Sequence, residues 1–247
     1  MNTLVIQPEG GICNRLRFLF SMIRSLIDKG KFKKTKLIVL WTETENCNGC
    51  IQNFIKPMKT VIFKKNNPNQ QLKVDIRSSG IVEGYHKLNY VLRVPINLNN
   101  QTRKKIKSII KNKLDDKYIA IHLRRTDHYE NFKKDKEKAD QIIKDNEYNL
   151  FIKNNPSCKC YLATDCPYTQ KKFKNLHKNR IVYFEEIPKK DDLRKTSFEC
   201  AIIDLYICIC ANKFKGSFGS SYSKFIKLNR EKINLHRPPR YNLTKFT

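Results

Sequence analysis

The stretch Tyr118-Ile-Ala-Ile-His-Leu-Arg-Arg-Thr-Asp127 joins an apolar, β-prone run to a charged segment. Residues 118–122 predict a strand, and the charged residues follow it directly. Open parallel sheets bind ligands beyond the carboxyl ends of their strands. If this strand belongs to such a sheet, the charged segment lies where a ligand binds.

Strand-like and helix-like patterns alternate on both sides of this stretch. Residues 37–42 form a continuous apolar run of the sort found in strands that helices cover on both faces. Repeated β-α units of this kind predict parallel sheets flanked by helices. The predicted strands are residues 3–7, 37–42, 118–122, 160–163, 181–184 and 212–215, and the predicted helices include residues 16–27, 106–110, 139–143 and 197–211 and the segments near Pro167 and Phe225.

Length and composition fit a folded chain of two lobes. Of its 247 residues, 40% are hydrophobic and 11% aromatic, which is enough to bury a core and argues against disorder. The β-α pattern restarts after a linker that we place between residues 95 and 115. We therefore expect an α/β lobe over residues 1–100 and a Rossmann-like lobe over residues 101–247.

Positive charge dominates the composition. Lys and Arg total 50 against 23 Asp and Glu, a formal net charge of +27, which would attract nucleic acid, an anionic membrane or a phosphorylated ligand. The basic residues are scattered along the chain, and no nucleic-acid-binding motif accompanies them. A basic nucleic-acid-binding module is therefore the runner-up hypothesis, which binding that weakens steeply with salt would support.

The cysteines and the apolar runs predict a soluble, cytoplasmic protein. Nine cysteines cannot all pair within one chain, so a reducing compartment fits better. Cys47-Asn-Gly-Cys50 has the spacing of half a zinc site, but nearby His ligands are missing. Arg24 and Asp204 interrupt the longest apolar runs, so no membrane span is expected. Met1 leads straight into a strand-like segment, which leaves no room for a signal peptide.

The central stretch supplies two arginines with different predicted roles. If the strand continues beyond His122, period-two alternation places His122 and Arg124 on one side. Leu123 and Arg125 then take the other side, where we expect Arg125 to pair with Asp127. A guanidinium is permanently charged and offers a planar fork of donors, which makes Arg124 the candidate clamp for a diphosphate. The alternative is that both arginines only form salt bridges and that His122 is a core histidine.

Two glycine-containing loops add anion-binding chemistry at other strand ends. Gly10 and Gly11 form a turn that lets backbone approach a ligand, and the helix after it offers N–H groups and a positive dipole end to an anion. In residues 216–223, hydroxyls and amides could cradle phosphates ahead of another helix. An ordinary tight turn and a plain serine-rich loop are the alternatives. With Asp165, which also follows a strand, four strand ends converge on one predicted cleft.

Four motifs, in this order, resemble the shared motifs of the α1,2, α1,6 and protein-O group of fucosyltransferases. They are Gly-Gly-x-x-Asn-Arg, His-x-Arg-Arg-x-Asp, Ala-Thr-Asp and Gly-Ser-Phe-Gly-Ser-Ser-Tyr-Ser, at residues 10–15, 122–127, 163–165 and 216–223. The resemblance spans residues 4–226. It implies a GT-B architecture of two facing Rossmann-like lobes, GDP-fucose bound mainly by the second lobe, catalysis without a metal ion, and inversion at the sugar carbon.

The resemblance also implies roles for individual residues. Arg124 would contact the β-phosphate, His122 the nucleoside side, and Asp165 the guanine or the ribose. Cys166 departs from the pattern of the α1,6 branch, which carries a second acid there, so Asp165 must recognise the base alone. The expected substrate-binding residues are Gly10, Gly11, Asn14, Arg15, His122, Arg125, Asp165, Ser217, Gly219, Ser220, Ser221 and Ser223.

Catalysis is expected to need no metal ion or other cofactor. The Asp-x-Asp motif of metal-using glycosyltransferases does not occur in the chain, so Arg124 and helix ends must stabilise the leaving group. Glu9, ahead of the glycine turn, is the first candidate for the base that accepts the acceptor's proton, and Asp127 is the second. A solvated turn carboxylate is the alternative for Glu9. The predicted activity is fucose transfer from GDP-fucose to a glycan or glycoprotein; use of another GDP-sugar, or binding without transfer, are the alternatives.

Overall fold

The computed structural model describes residues 1–45, 47–64, 72–78, 98–125, 144–187 and 196–234. Residues 231–234 are described by their main chain alone. The chain divides into two compact units between Asn100 and Gln101, and residues 232–234 group with the first unit. Each unit contains a four-stranded sheet. All the strand pairs in both sheets are parallel. The predicted α/β fold with parallel sheets is confirmed.

The first unit is built on a four-stranded sheet. Helix α1 (Ile12–Asp28) follows the first strand, and its apolar residues recur at helical spacing, so that one face is buried. Leu16, Leu19 and Ile23 are each 1% exposed, whereas Ile27, which the same periodicity includes, is 41% exposed in the last turn. The strands are β1 (Asn2–Pro8), β2 (Thr35–Leu40), β3 (Val61–Lys64) and β4 (Ile76–Ser78). Their order in the sheet is β3-β2-β1-β4.

The edge strand β4 was not predicted. It has three residues and pairs with the end of β1, so that Ile6 lies opposite Ile76 and Pro8 opposite Ser78. A hydrogen bond of 2.9 Å from the Glu9 amide to the Ser78 carbonyl oxygen continues this pairing beyond the strand. The glycine turn after β1 is therefore held at the carboxyl edge of the sheet.

The second unit also contains a four-stranded sheet. The expected helix at residues 139–143 lies outside the described residues. The strands are β5 (Tyr118–Leu123), β6 (Lys159–Thr164), β7 (Ile181–Val182) and β8 (Lys213–Gly216). Their order in the sheet is β7-β6-β5-β8. The helices are α2 (Asn100–Ile109), which begins at the boundary, α3 (Asp145–Lys153), α4 (Pro167–His177), α5 (Phe198–Cys210) and α6 (Ser221–Asn234).

Different helices cover the two faces of the second sheet. On one face, Leu123 packs with Tyr148 of α3 in an apolar core. On the other face, α5 contacts β5 and β6, and the Tyr118 hydroxyl donates a 2.8 Å hydrogen bond to the carbonyl oxygen of Ile207. Because side chains alternate along a strand, His122 lies on the α5 face with Tyr118.

The register of this sheet brings three strand ends to the same level. Leu123 of β5 lies opposite Thr164 of β6, and His122 lies opposite Gly216 of β8. The residues that follow these three strands therefore meet at one edge of the sheet. They are Arg124, Asp165 and Ser217. Within the described ranges, no helix combines the length and the apolar character needed to cross a bilayer.

Candidate functional site

Asp165 connects the ends of β5 and β6. Its Oδ2 lies 3.2 Å from Nε of Arg124, and its Oδ1 accepts a 2.8 Å hydrogen bond from the amide of Arg125. The Asp165 side chain is 9% exposed and the Arg124 side chain 15%. Water screens this ion pair less than it screens a surface pair, so the attraction between the two groups is stronger.

Arg125 belongs to a different cluster. Its guanidinium pairs with Asp145 in the first turn of α3, and its Cζ lies 5.9 Å from the centroid of the Tyr148 ring. The predicted partner, Asp127, lies outside the described residues. The two consecutive arginines therefore have separate carboxylate partners, and Arg125 lies on the α3 side of the sheet.

His122 is buried on the α5 side of the sheet, with 6% exposure. Its Nδ1 lies 2.7 Å from Oγ of Ser223, and its ring packs on Tyr222 with 4.7 Å between the ring centroids. The hydroxyl of Tyr222 donates a 2.6 Å hydrogen bond to the carbonyl oxygen of Ala201 in α5. Two residues in the first turn of α6 thus fix the imidazole. Tyr222 was part of a predicted motif, but it had no predicted role.

Ser217 joins the end of β8 to the end of β5. Its hydroxyl donates to the carbonyl oxygen of His122 at 3.0 Å and accepts from the amide of Arg124 at 2.9 Å. The Tyr148 hydroxyl lies 3.3 Å from Oγ of Ser217. Burial raises the pKa of Tyr148 to about 12. Tyr148 is therefore protonated at neutral pH and can donate a hydrogen bond there.

The loop between β8 and α6 allows little variation. Ser220 caps α6, because its Oγ accepts a 3.3 Å hydrogen bond from the amide of Ser223. Gly219 has a φ of +67°, in the region that glycine adopts without strain. A Cβ on Gly216 would lie 2.6 Å from both Cβ and Oγ of Ser223. Any larger residue at this position must displace the serine that contacts His122.

Three of the hydroxyls that we predicted to cradle phosphates therefore have partners within the unit. Ser217 links two strand ends, Ser220 caps a helix, and Ser223 contacts His122. The arrangement still offers an anion the N-terminus of α6, a helix of 14 residues that begins at Ser221. Arg124 lies at the same edge of the sheet and supplies a full positive charge.

In the first unit, the predicted residues surround the turn between β1 and α1. Gly10 has a φ of +75°, and Gly11 is the N-cap of α1. Asn14 lies in the first turn of the helix. Oε1 of Glu9 is 3.5 Å from Nε of Arg77, and their side chains are 45% and 58% exposed. An ion pair as exposed as this one contributes little to stability.

Arg15 is buried in the first unit, with 1% exposure. Its guanidinium donates to the carbonyl oxygens of Gly10 and Thr42 and to the hydroxyl of Thr44, and it lies over the ring of Trp41. Burial lowers the pKa of Arg15 from its ordinary value. These contacts tie the glycine turn to the segment after β2, a structural role that the sequence did not reveal.

A buried carboxyl in the second unit also had no predicted role. Asp204 of α5 is 7% exposed and accepts hydrogen bonds from the Tyr161 hydroxyl at 2.5 Å and from the Cys200 thiol at 3.7 Å. Burial raises the pKa of Asp204 to about 7, and the two hydrogen bonds oppose this shift. An acid inside an apolar helix was the available signal, but we interpreted it only as a break in the run.

All nine cysteines are thiols. Cys200 and Cys208 are buried, as the apolar pattern of α5 predicted. Burial raises the pKa of Cys210 to about 11 and raises the pKa of Cys200 and Cys208 further. Thiols of this kind are unreactive at neutral pH. Over the described ranges, no three His, Cys, Asp or Glu side chains are grouped so that they could hold a metal ion.

Residues 29–233 match the model of a family described as GDP-fucose protein O-fucosyltransferase. This chain belongs to that family. The matched range includes three of the four motifs that carried the resemblance, and the glycine turn at residues 10–15 precedes it. The recognition as a fucosyltransferase, and hence as a glycosyltransferase enzyme, is confirmed.

Solved structures of fucosyltransferases share the fold of this family member. The structure of NodZ α-1,6-fucosyltransferase soaked with GDP-fucose has a TM-score of 0.59 and 14% identity, with 92% of each chain covered. NodZ from Bradyrhizobium has a TM-score of 0.58 and 14% identity, with 92% of this chain and 93% of that chain covered. POFUT1 in its apo form has a TM-score of 0.60 and 10% identity, with 93% and 95% covered. These likenesses confirm the GT-B type of fold. A search of the curated proteins finds no significant sequence match.

Proposed function

We propose that the chain transfers fucose from GDP-fucose to a hydroxyl group of a glycan or a protein, with inversion at the sugar carbon and without a metal ion. The observation that carries the proposal is the pair of Arg124 and Asp165 at the edge of the sheet where α6 begins, in a chain of this family. An oriented guanidinium and a helix N-terminus can stabilise the charge of a leaving diphosphate without a metal.

In this proposal the second unit binds the donor. Arg124 contacts the β-phosphate, and amides of Gly219, Ser220 and Ser221 contact the phosphates at the start of α6. His122 lies toward the nucleoside in the position that Ser223 fixes. The hydroxyls of Ser217, Ser220 and Ser223 act through the contacts described above, which hold the strand ends and the helix in place.

The first unit is proposed to serve the acceptor. Gly10, Gly11 and Asn14 are proposed to contact substrate at the turn between β1 and α1, and the half-exposed Glu9 is the first candidate for the base. Asp127 remains the second candidate for the base. Arg15 acts indirectly, because its guanidinium holds the turn that presents these residues.

The reaction then proceeds as a single displacement. The acceptor oxygen attacks the anomeric carbon from the face opposite GDP, and the bond between this carbon and the β-phosphate oxygen breaks. GDP departs with the electron pair, while the proton of the acceptor hydroxyl passes to the base. Arg124 and the α6 dipole stabilise the negative charge as it develops.

Thermal unfolding in the presence of nucleotides tests the donor class. GDP and GDP-fucose are expected to raise the melting temperature, because a ligand at 100 times its Kd stabilises the folded state by about 2.7 kcal/mol. UDP and CMP are expected to leave it unchanged. The proposal is contradicted if UDP or an oligonucleotide raises the melting temperature and GDP does not. The oligonucleotide result would favour the nucleic-acid-binding alternative.

Turnover assays test the finer parts of the proposal. GDP-fucose is expected to be consumed faster than GDP-mannose, at a rate that EDTA leaves unchanged, and NMR of the product should show the anomeric configuration opposite to that of the donor. A rate that EDTA abolishes and a divalent cation restores contradicts metal independence. Retained configuration contradicts the single displacement.

The cellular location stays a prediction that rests on the odd number of cysteines. Fractionation of the native host's cells, with mass spectrometry of the cysteines, tests it. Reduced thiols in the soluble cytoplasmic fraction are expected. Disulfide-linked protein in a secreted fraction contradicts the prediction.

A further inference from the structure

The carboxylate of Asp165, which we predicted to contact guanine or ribose, is directed at an arginine. We propose that Asp165 is a positioning residue, which orients the Arg124 guanidinium so that the site distinguishes a nucleoside diphosphate from a monophosphate. This inference rests on the proposed use of a GDP-sugar donor. It assigns to Asp165 the discrimination of the phosphate group and not of the base.

The backbone places the two residues side by side. Leu123 and Thr164 are partners in the parallel register of β5 and β6, and Arg124 and Asp165 are the next residue of each strand. The hydroxyl of Thr164 donates a 2.8 Å hydrogen bond to the carbonyl oxygen of Leu123. The strand ends are thus bonded up to their last residue pair, and the proximity of Asp165 to Arg124 follows from the sheet.

Both oxygens of the carboxylate take part in holding this segment. Oδ2 lies 3.2 Å from Nε of Arg124, and Oδ1 accepts from the amide of Arg125 at 2.8 Å. A guanidinium is planar, so a contact at Nε restricts rotation of the whole group. The direction of its two terminal nitrogens is set at the same time. Bidentate binding of a phosphate depends on this direction.

Burial favours the positioning role over a direct contact with the base. Asp165 is 7% exposed as a residue, and its carboxylate already has a charged partner. A nucleobase would have to compete with Arg124 for the carboxylate, and separating a poorly hydrated ion pair leaves an uncompensated charge on each side. The guanidinium can instead receive a phosphate while Asp165 keeps its contact at Nε.

Calorimetric titration with GDP, GMP and IDP tests the inference. The ratio of the Kd for GMP to that for GDP measures the contribution of the β-phosphate, and the ratio for IDP to GDP reports on the exocyclic amino group of guanine. Asp165→Asn is expected to lower the first ratio by about 10-fold, because a charge-assisted contact is lost. The second ratio is expected to stay as in the wild type.

A double-mutant cycle with Arg124→Ala tests whether Asp165 acts through Arg124. In the Arg124→Ala protein, adding Asp165→Asn is expected to change the GMP-to-GDP ratio by less than about 2-fold, because the two residues act as one unit. Additive effects of the two substitutions overturn the inference. The asparagine preserves the size of the side chain and an acceptor for the Arg125 amide, and each ratio is taken within one variant, so the yield of folded protein does not enter.

Asp115→Asn is the matched control. Oδ2 of Asp115 lies 3.2 Å from Nζ of Lys159 at the amino end of β6, so the same substitution removes an ion pair of equal length away from the site. Both ratios are expected to remain as in the wild type. If Asp165→Asn alters the IDP-to-GDP ratio and leaves the GMP-to-GDP ratio intact, Asp165 contacts the base and the inference is overturned.

Failure of the proposed function gives a separate result. A wild-type protein that does not bind GDP overturns the donor assignment and this inference together. A wild-type protein that prefers GDP over GMP, with a preference that Asp165→Asn leaves unchanged, overturns the positioning role alone.

Discussion

Arg15 in the first unit and Arg124 in the second both lie near the carboxyl end of a parallel strand, but their surroundings differ. Arg15 is 1% exposed and donates to the carbonyl oxygens of Gly10 and Thr42. The Arg124 side chain retains 15% exposure, and its Nε pairs with the carboxylate of Asp165. Identical side chains at similar places in two parallel sheets thus have different partners.

The partners decide what each arginine can do. Arg15 cannot turn to a ligand without removing the donor from two half-buried carbonyl oxygens, and the penalty for a fully buried group is about 1–3 kcal/mol. Arg124 is oriented by a side chain and remains partly accessible, so a phosphate can be added to its existing contact. We infer that Arg15 serves folding and Arg124 serves binding.

Arg124→Ala should have the largest effect. It is expected to lower turnover of GDP-fucose by about 10²- to 10³-fold, which corresponds to about 2.7–4 kcal/mol of transition-state stabilisation. Initial rates measured well below the melting temperatures of both proteins, with saturating donor, are the check. Unchanged turnover and unchanged GDP affinity would remove Arg124 from the site and break the comparison.

Arg15→Ala should act on folding. The substitution is expected to lower the free energy of unfolding by about 3 kcal/mol, because it removes a buried side chain and the hydrogen bonds that this side chain donates. Denaturant unfolding followed by circular dichroism measures the change. Arg24→Ala on the same helix is the control: its i,i+4 pair with Asp28 is partly exposed and is worth about 0.5 kcal/mol. Equal stabilities of the two variants would contradict the structural role of Arg15.

Glycine substitutions sharpen the comparison between the units. Gly216→Ala places a Cβ 2.6 Å from Cβ and Oγ of Ser223, and this overpacking is expected to cost about 2 kcal/mol. The variant should also bind GDP more weakly, because His122 loses its fixed neighbour. Gly30→Ala meets no atom within 4 Å but has a φ of +63°, so it should cost about 1 kcal/mol and leave GDP binding intact. Calorimetric melting and titration distinguish the two, and equal GDP affinities would contradict the role of Gly216.

The pH dependence of stability extends the comparison to buried charges. Arg15 has oxygen acceptors and stays charged, whereas burial raises the pKa of Asp204 from its ordinary value of 3.8 to about 7. Between pH 3.8 and about pH 7, Asp204 is protonated in the folded protein and ionised in the unfolded one. The stabilisation from its raised pKa is therefore fully present below pH 3.8 and is lost as the pH rises through about 7. The slope is at most about −1.4 kcal/mol per pH unit.

Asp204→Asn is expected to flatten this dependence, because the asparagine keeps an acceptor for Tyr161 but does not titrate. Unfolding free energies at several values between pH 5 and pH 8 give the slope for each protein. Tyr161→Phe serves as the control, since it removes the hydrogen bond of 2.5 Å and retains the acid. Parallel slopes for the wild type and Asp204→Asn would show that another group titrates.

Apolar runs and strand ends were readable from the sequence because they depend on local patterns. Residues 118–122 lie within β5, whose side chains meet α3 on one face and α5 on the other. Of the predicted strand at residues 37–42, residues 37–40 lie in β2, which begins earlier, at Thr35. The position of Arg124 and Asp165 at strand ends followed from the same pattern. The exposed strand β4 gave no such signal. It is a strand because its backbone pairs with β1, and its own residues do not form an apolar run.

Partners distant in the sequence could not be read in the same way. Asp145 lies 20 residues after Arg125 and Asp204 lies 43 residues after Tyr161, and which side chains meet depends on the packing of α3 and α5 against the sheet. The hydrogen bonds from Arg15 to main-chain oxygens also depend on tertiary packing. Sequence patterns therefore located the candidate site, and tertiary packing assigned the partners within it.

The hydroxyl of Ser217 has a consequence for exchange kinetics. It accepts a hydrogen bond from the amide of Arg124 and donates one to the carbonyl oxygen of His122. The side chain thus makes the contacts that the main chain of a longer β8 would make. Amide protons in such bonds exchange with solvent only when the bond opens. The Arg124 amide should therefore exchange as slowly as those inside the sheet, although it lies beyond the last strand residue. The segment that carries the guanidinium is already ordered before a donor arrives, so binding costs it little conformational entropy.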